Sequence, residues 1–281
     1  MLEKVFGVVI LYNPAEKVPD NILSYKDAVD HLIVIDNSER PQAVRFEENE
    51  HLTFFSDGRN RGIAERLNQA AAFAKTQSAQ WLLTMDQDSS FKEEMLDRYL
   101  SCVASFRGKE AVAMFGVAFE GSEQEQDCRT EDVESLITSG SLVSLDLFER
   151  VGAFDENLFI DDVDFDYCVR SIKTGFRIVK FKNVCMQHEL GTVYHRRSLK
   201  SFKMTSRTLH SPLRLYYMLR NYLYLRDKYV ADMPGIFRIK RTDLLNRIKN
   251  QFLYGNARVE MFRYLLAAYR HYKAGKMGKY Q

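Results

Sequence analysis

Four short apolar runs govern what this chain can fold into. They are "KVFGVVILY" (4–12), "HLIVIDNSE" (31–39), "LTFFSDGRN" (52–60) and "AQWLLTM" (79–85), and each gives way to Asn or Asp. Runs that are apolar on both faces fit buried strands of a parallel sheet, not strands with one wet face. Between the third and fourth, "GIAERLNQAAAFAKTQ" (62–77) repeats Ile63, Leu67, Ala70, Ala71 and Ala74 at helical spacing. Strands alternating with helices predict an α/β domain with right-handed crossovers. Ligands of such sheets bind beyond the carboxyl ends of the strands. Asn13, Asp36, Asn60, Asp86 and Asp88 all fall at those ends.

Further along, residues 91–106 read as an amphipathic helix, 111–119 as a strand and 121–132 as a polar loop. Residues 135–145 read as extended, with Gly140 at a close approach and Ser144 capping the helix "LDLFERVG". "DFDYCVRSIKTGF" (164–176) predicts a helix ended by Gly175, and 177–189 a strand. Beyond His195 the pattern turns helical, aromatic and basic, over 214–230 and 243–273. From Arg196 onward there are 20 Lys+Arg and 4 Asp+Glu, a charge of +16; subtraction from 40 and 38 leaves 20 and 34 before it, a charge of −14. That split predicts a catalytic domain over 1–195 and a basic helical extension over 196–281. Cys102, Cys128, Cys168 and Cys185 lack metal-site spacing and read as free thiols in a reducing compartment. The start, "MLEKVFGVVILYNP", reads as a first strand and not as a signal peptide.

Two acidic clusters carry the chemistry. In "TMDQDSSF" (84–91), Asp86 and Asp88 sit at i and i+2, which in extended backbone puts them on one side. They suit Mg²⁺ or Mn²⁺, which take hard oxygen ligands and leave places for phosphate. A solvated loop with two helix-capping carboxylates explains the pair equally well. In "FIDDVDFDYCVR" (159–170), Asp161, Asp162, Asp164 and Asp166 lie among Phe and Val, where a carboxyl can be tuned as a general base. Arg170 is spaced to pair with Asp166 one turn earlier. His188 follows a predicted strand and becomes a ligand candidate only if the fold brings it near Asp86 and Asp88.

In this order, "VVILYNP", "IVIDNSE", "GRNRGIAERLNQA", "WLLTMDQDSSF", the segment from "SGSLVSL" to "SIKTGF", and "QHELGT" resemble the inverting nucleotide-sugar glycosyltransferases of family 2. Their fold is GT-A: a Rossmann-like, mostly parallel central sheet flanked by helices. "DQDSSF", "FIDDVDFDYCVR" and "SPLRLYYMLRNYLYLRDKY" (211–229) are similar to the bacterial rhamnosyltransferase branch. The resemblance implies a nucleotide-sugar site at Tyr12, Asn13, Asp36, Asn60, Gly62 and Asp86, with Arg220 reaching the diphosphate. It implies a Mg²⁺ or Mn²⁺ site at Asp86, Asp88 and His188. It implies Asp164 as the base, with Asp161 and Asp162 as competitors because Val163 stands where many relatives have glutamate. The implied reaction transfers L-rhamnose from dTDP-L-rhamnose to a hydroxyl of a cell-surface polysaccharide or O-antigen precursor, an acceptor that can be lipid-linked.

The basic, aromatic tail predicts an anionic membrane surface as partner in preference to nucleic acid, with packing on the acidic domain as the competing role. No apolar run reaches the ~18 residues a membrane span needs. Taken with these features, the resemblance implies a cytoplasmic enzyme, peripheral on the cytoplasmic face of the inner membrane. Two other readings stand beside it: haloacid-dehalogenase-like phosphotransfer with Asp86 as nucleophile and Asp88 as acid/base, and a non-catalytic glycan- or membrane-binding scaffold.

Overall fold

The computed structural model describes residues 2–40, 46, 48–92, 94–119, 127–188, 193–197 and 204–281. The chain forms two compact units: Met1–Glu156 with Val163–Glu189, and Asn157–Asp162 with Leu190–Gln281.

The four apolar runs become β1 (Val5–Leu11), β2 (His31–Asp36), β3 (Leu52–Ser56) and β4 (Trp81–Asp86), all parallel, in the order β3-β2-β1-β4. The register pairs Leu11 with Asp36, Asp36 with Ser56 and Ile10 with Asp86. Their polar ends therefore share one edge. A short helix α1 (Val18–Leu23) follows β1, and α2 (Ile63–Thr76) buries Leu67, Ala70, Ala71 and Ala74. Small side chains at those turns let this helix lie close to the sheet.

The sheet continues through β8 (Ser141–Ser144), β6 (Val112–Ala118), β9 (Arg177–His188) and β5 (Ser89–Phe91), with β7 (Thr130–Asp132) on β9. β6 and β9 are parallel; β8, β5 and β7 run antiparallel to their neighbours. α3 (Met95–Ser105), α4 (Leu145–Val151) and α5 (Val163–Lys173) complete the first unit. A mixed α/β fold with a large central sheet and flanking helices is thus what the alternation predicted.

Local signals held at two further points. Ser144 Oγ accepts from Leu147 N at 3.4 Å, capping α4. Gly140 has φ +73°, and a Cβ there would lie 2.9 Å from Met186 Sδ. Other expectations need correction. The helix expected over 91–106 starts only at Met95, because Ser89–Phe91 is taken into the sheet. Of the expected polar loop, 121–126 lie outside the described residues, and Thr130–Asp132 is an exposed strand. The four cysteines are not all thiols: Cys102 of α3 is bonded to Cys128, with Cα atoms 5.6 Å apart. A separation of 26 residues gave no sequence signal for the pair, and the thiol argument for a reducing compartment goes with it. Cys168 and Cys185 are buried thiols. Burial pushes Cys168 up to about 12, so it stays protonated.

The second unit holds a hairpin of β10 (Val193–Arg197) and β11 (Met204–Thr208), then α6 (Pro212–Tyr229), α7 (Pro234–Tyr254) and α8 (Arg258–Lys273). Ser211 caps α6, accepting from Arg214 N at 3.2 Å, and Pro212 follows at the first helical position. The helix expected over 243–273 is two helices parted at Gly255. Phe159, Tyr216, Tyr217 and Ala268 form one buried cluster of this unit among the described residues. No helix among the described residues is long and apolar enough to cross a membrane.

Candidate active site

The strand ends are knitted into one rim by side chains that sequence reading passed over. Asn37, directly after β2 and buried, is the hub. Its N–H donates to Leu11 O at 2.8 Å, and its Nδ2 donates to Asn60 Oδ1 at 3.0 Å. Its Oδ1 accepts from Arg61 N at 2.8 Å and Arg66 Nε at 3.0 Å. Asn60 Oδ1 also accepts from Gly62 N, and Gly62 adopts φ +86°, which favours glycine before α2. Asp36 Oδ1 accepts from Ser38 N at 2.9 Å, and Ser38 Oγ accepts from Asn13 N at 2.8 Å. Gln87, between the two aspartates, clasps the Tyr12 backbone in both directions, Oε1 accepting from its N–H and Nε2 donating to its carbonyl. Tyr12, Asn13, Asp36, Asn60, Gly62 and Asp86 are thus brought to one edge. Tyr12 is 44 % exposed and Asn13 sits at φ +44°, a left-handed backbone that Asn tolerates.

Arg66 fixes this rim from beneath. Its side chain is buried and donates to Asn37, Gln69, Asp57 and the Arg59 carbonyl. Burial alone would raise the Asp57 carboxyl, but hydrogen bonds from Arg66 and Arg61 and the charge of Arg66 bring it down to about 2. Asp57 therefore stabilises the fold above about pH 4, and that contribution is lost as the pH falls through about 2. Arg66→Met should lower stability by about 2 kcal/mol, a figure discounted for the exposure of Asp57. Urea unfolding at pH 7 measures it, and the decline of stability between about pH 4 and pH 2 should flatten in the variant.

Asp86 closes β4, and Asp88 stands directly before β5. Asp86 N donates to Ser139 Oγ at 3.1 Å, and Ser139 Oγ donates to Ser89 Oγ at 2.8 Å. The register of β5 on β9 sets Ser89 opposite His188. The backbone of His188 thus pairs with the residue that follows Asp88; its side chain lies outside the described residues. No group of three candidate ligands forms among the described residues. Gln87 and Asp88 form the turn between β4 and β5, so extended backbone does not set Asp86 and Asp88 on one side, as their spacing predicted; the two partly buried carboxylates still offer the hard oxygen ligands that suit Mg²⁺ or Mn²⁺.

The second acidic cluster divides between the two units. Asp161 and Asp162 belong to the second, and both have left-handed backbones at φ +63° and +64°. Asn221, fully buried on α6, holds this turn by donating to the carbonyls of Ile160 at 2.8 Å and Asp161 at 3.0 Å. Arg214 Nη2 pairs with Asp161 Oδ1 at 2.9 Å, and Lys240 Nζ with Asp162 Oδ1 at 2.5 Å. Burial raises the Asp162 carboxyl above the ordinary range, while Lys240 pulls the other way. Asp164 and Asp166 belong to the first unit, in the first turn of α5. Asp166 is fully buried and bonded to Arg170 Nε at 2.7 Å, the pairing the spacing predicted. Arg170 also donates to the carbonyls of Val151, Gly152 and Ala153, so this pair anchors the end of α4. Asp164 is only partly buried, and its Oδ1 accepts from Phe165 N at 2.8 Å.

Arg220 lies inside the second unit, 1 % exposed, its guanidinium 5.1 Å from the Tyr216 ring centroid and 5.2 Å from that of Tyr217. Its Nη1 donates to Tyr216 Oη at 3.0 Å. Within the helical unit it is an aromatic-caged cation.

Residues 8–129 match the family model for glycosyl transferase family 2, a span that includes the rim, Asp86 and Asp88. That match covers most of the parallel half of the sheet and is a likeness to family 2 glycosyltransferases. Over 258 residues the chain is 27 % identical to the dTDP-rhamnosyl transferase RfbF of Shigella flexneri, covering 84 % of each chain. Its fold is similar to that of GalNAc-T7, solved with UDP, GalNAc and Mn²⁺, at a TM-score of 0.58 and 11 % identity. That likeness covers 97 % of this chain but 56 % of the other, so the chain spans little more than half the length of that enzyme. The chain is a glycosyltransferase of rhamnosyltransferase-like sequence and GT-A fold, and the phosphotransfer reading of Asp86 and Asp88 is set aside.

Proposed function

We propose that this chain transfers L-rhamnose, with inversion, from dTDP-L-rhamnose to a hydroxyl of a cell-surface polysaccharide or O-antigen precursor. The likeness to a dTDP-rhamnosyl transferase along most of both chains is the observation that carries this reading. The nucleotide lies on the rim of Tyr12, Asn13, Asp36, Asn60 and Gly62, preorganised by the bonds of Asn60 to Asn37 and Gly62, of Asn13 and Asp36 to Ser38, and of Tyr12 to Gln87. Asp86 and Asp88, with His188, would hold Mg²⁺ or Mn²⁺, which would supply neutralisation of the diphosphate charge to the leaving group.

Asp164 is the base. Asp164 stands in the first turn of α5, partly buried, at the position the family 2 resemblance gives to the base; Asp161 pairs with Arg214, Asp162 with Lys240 and Asp166 with Arg170. Asp164 takes the proton of the acceptor hydroxyl as its oxygen bonds to the anomeric carbon. The bond from that carbon to the diphosphate breaks on the opposite face, and dTDP leaves with the electron pair. One displacement inverts the centre, so a β-linked donor gives an α-L-rhamnoside.

Thermal-shift screening of nucleotide sugars with Mg²⁺ or Mn²⁺ tests the donor. A ligand at 100 times its Kd stabilises the fold by about 2.7 kcal/mol, enough to raise Tm by a few degrees. dTDP-rhamnose should give the largest rise. A larger rise with a UDP-hexose replaces the rhamnose assignment.

A further inference from the structure

α8 buries Met261 and Ala268, and its opposite face is apolar and uncovered. Val259, Phe262, Leu266 and Tyr269 are 76, 54, 50 and 49 % exposed. Steps of three, four and three residues set them in one stripe along the helix. The stripe runs onto the end of α7, where Phe252, also exposed, meets the Phe262 ring edge-on at 5.8 Å.

The surroundings of the stripe are cationic. Arg263 and Arg270 each follow a stripe residue by one position and are exposed. Arg258 lies over the Phe252 ring at 5.8 Å, and Lys273 lies over Tyr269 at 6.0 Å. Glu260 is the one carboxylate of α8, and at 100° per residue it falls well away from the stripe. A continuous exposed apolar strip with a charged rim marks an interaction surface. A second copy of this chain would set two cationic rims against each other, which opposes self-association. An anionic lipid surface satisfies both parts at once: phosphates for the arginines and an acyl boundary for the rings.

We propose that this face of α8 docks on an anionic lipid bilayer. The helix lies in the interface plane, Phe262 and Leu266 enter the headgroup–acyl boundary, and Arg263 and Arg270 meet lipid phosphates. The surface lies in the second unit and does not depend on which sugar the first unit transfers.

Co-sedimentation of the full chain with vesicles tests it. Wild type should sediment with phosphatidylcholine–phosphatidylglycerol vesicles at low salt, lose binding as salt rises, and ignore pure phosphatidylcholine. Phe262→Ser with Leu266→Ser, and separately Arg263→Gln with Arg270→Gln, should each weaken partitioning by about tenfold while keeping the wild-type melting temperature. Failure of wild type to sediment, or binding that neither double variant weakens, overturns the proposal. So does a wild-type dimer that the Phe262/Leu266 variant converts to monomer, which would give the face to a second copy.

Discussion

Asp164→Asn should leave donor binding near the wild-type level while cutting transfer by roughly a thousandfold. The amide keeps the size and the place of the carboxylate but cannot accept the proton of the acceptor hydroxyl. Because the loss falls on the chemical step, it belongs in kcat, with the calorimetric Kd for nucleotide unchanged. Asp161→Asn and Asp162→Asn should behave differently. Each breaks an ion pair, with Arg214 or Lys240, at residues already held in left-handed backbone. Their expected signature is a lowered melting temperature with a smaller loss of kcat. The opposite pattern, an active Asp164→Asn and an inactive but stable Asp162→Asn, would move the base to Asp162. Its raised carboxyl pKa makes that the rival worth excluding.

What the sequence disclosed was periodic or local. Continuous apolar runs marked β1 to β4, and their polar ends marked Asn13, Asp36 and Asp86. The Asp166–Arg170 pair and the Ser144 cap follow from spacings of four and three residues. What stayed hidden is long-range. Asn37 binds partners 23 to 29 residues away, and Arg66 has no signature beyond its place on α2. The partners that engage Asp161 and Asp162 lie 53 and 78 residues further on, so four similar aspartates could not be ranked before folding. β5 and β7 were missed because three-residue strands, one of them wholly polar, carry no period to read. Their strand identity comes from pairing with β9.

Asp88→Asn should weaken divalent-cation-dependent nucleotide binding by at least about tenfold. The loop keeps its shape without the carboxylate. Gln87 is turned away to clasp Tyr12, and Ser89 is tied to Ser139 and enters the sheet opposite His188. The backbone on both sides of Asp88 is therefore fixed by bonds that the substitution leaves in place. A neutral amide is isosteric, so fold and rim should persist while a hard anionic ligand is lost. Titration of free Mn²⁺ by electron paramagnetic resonance, with nucleotide present, reads the site without any turnover. Gln87→Ala is the contrasting variant: it should loosen Tyr12 and reduce nucleotide affinity equally with and without the cation. If Asp88→Asn and wild type sequester Mn²⁺ alike, the two aspartates only shape the loop, and neutralisation of the diphosphate must come from protein cations instead.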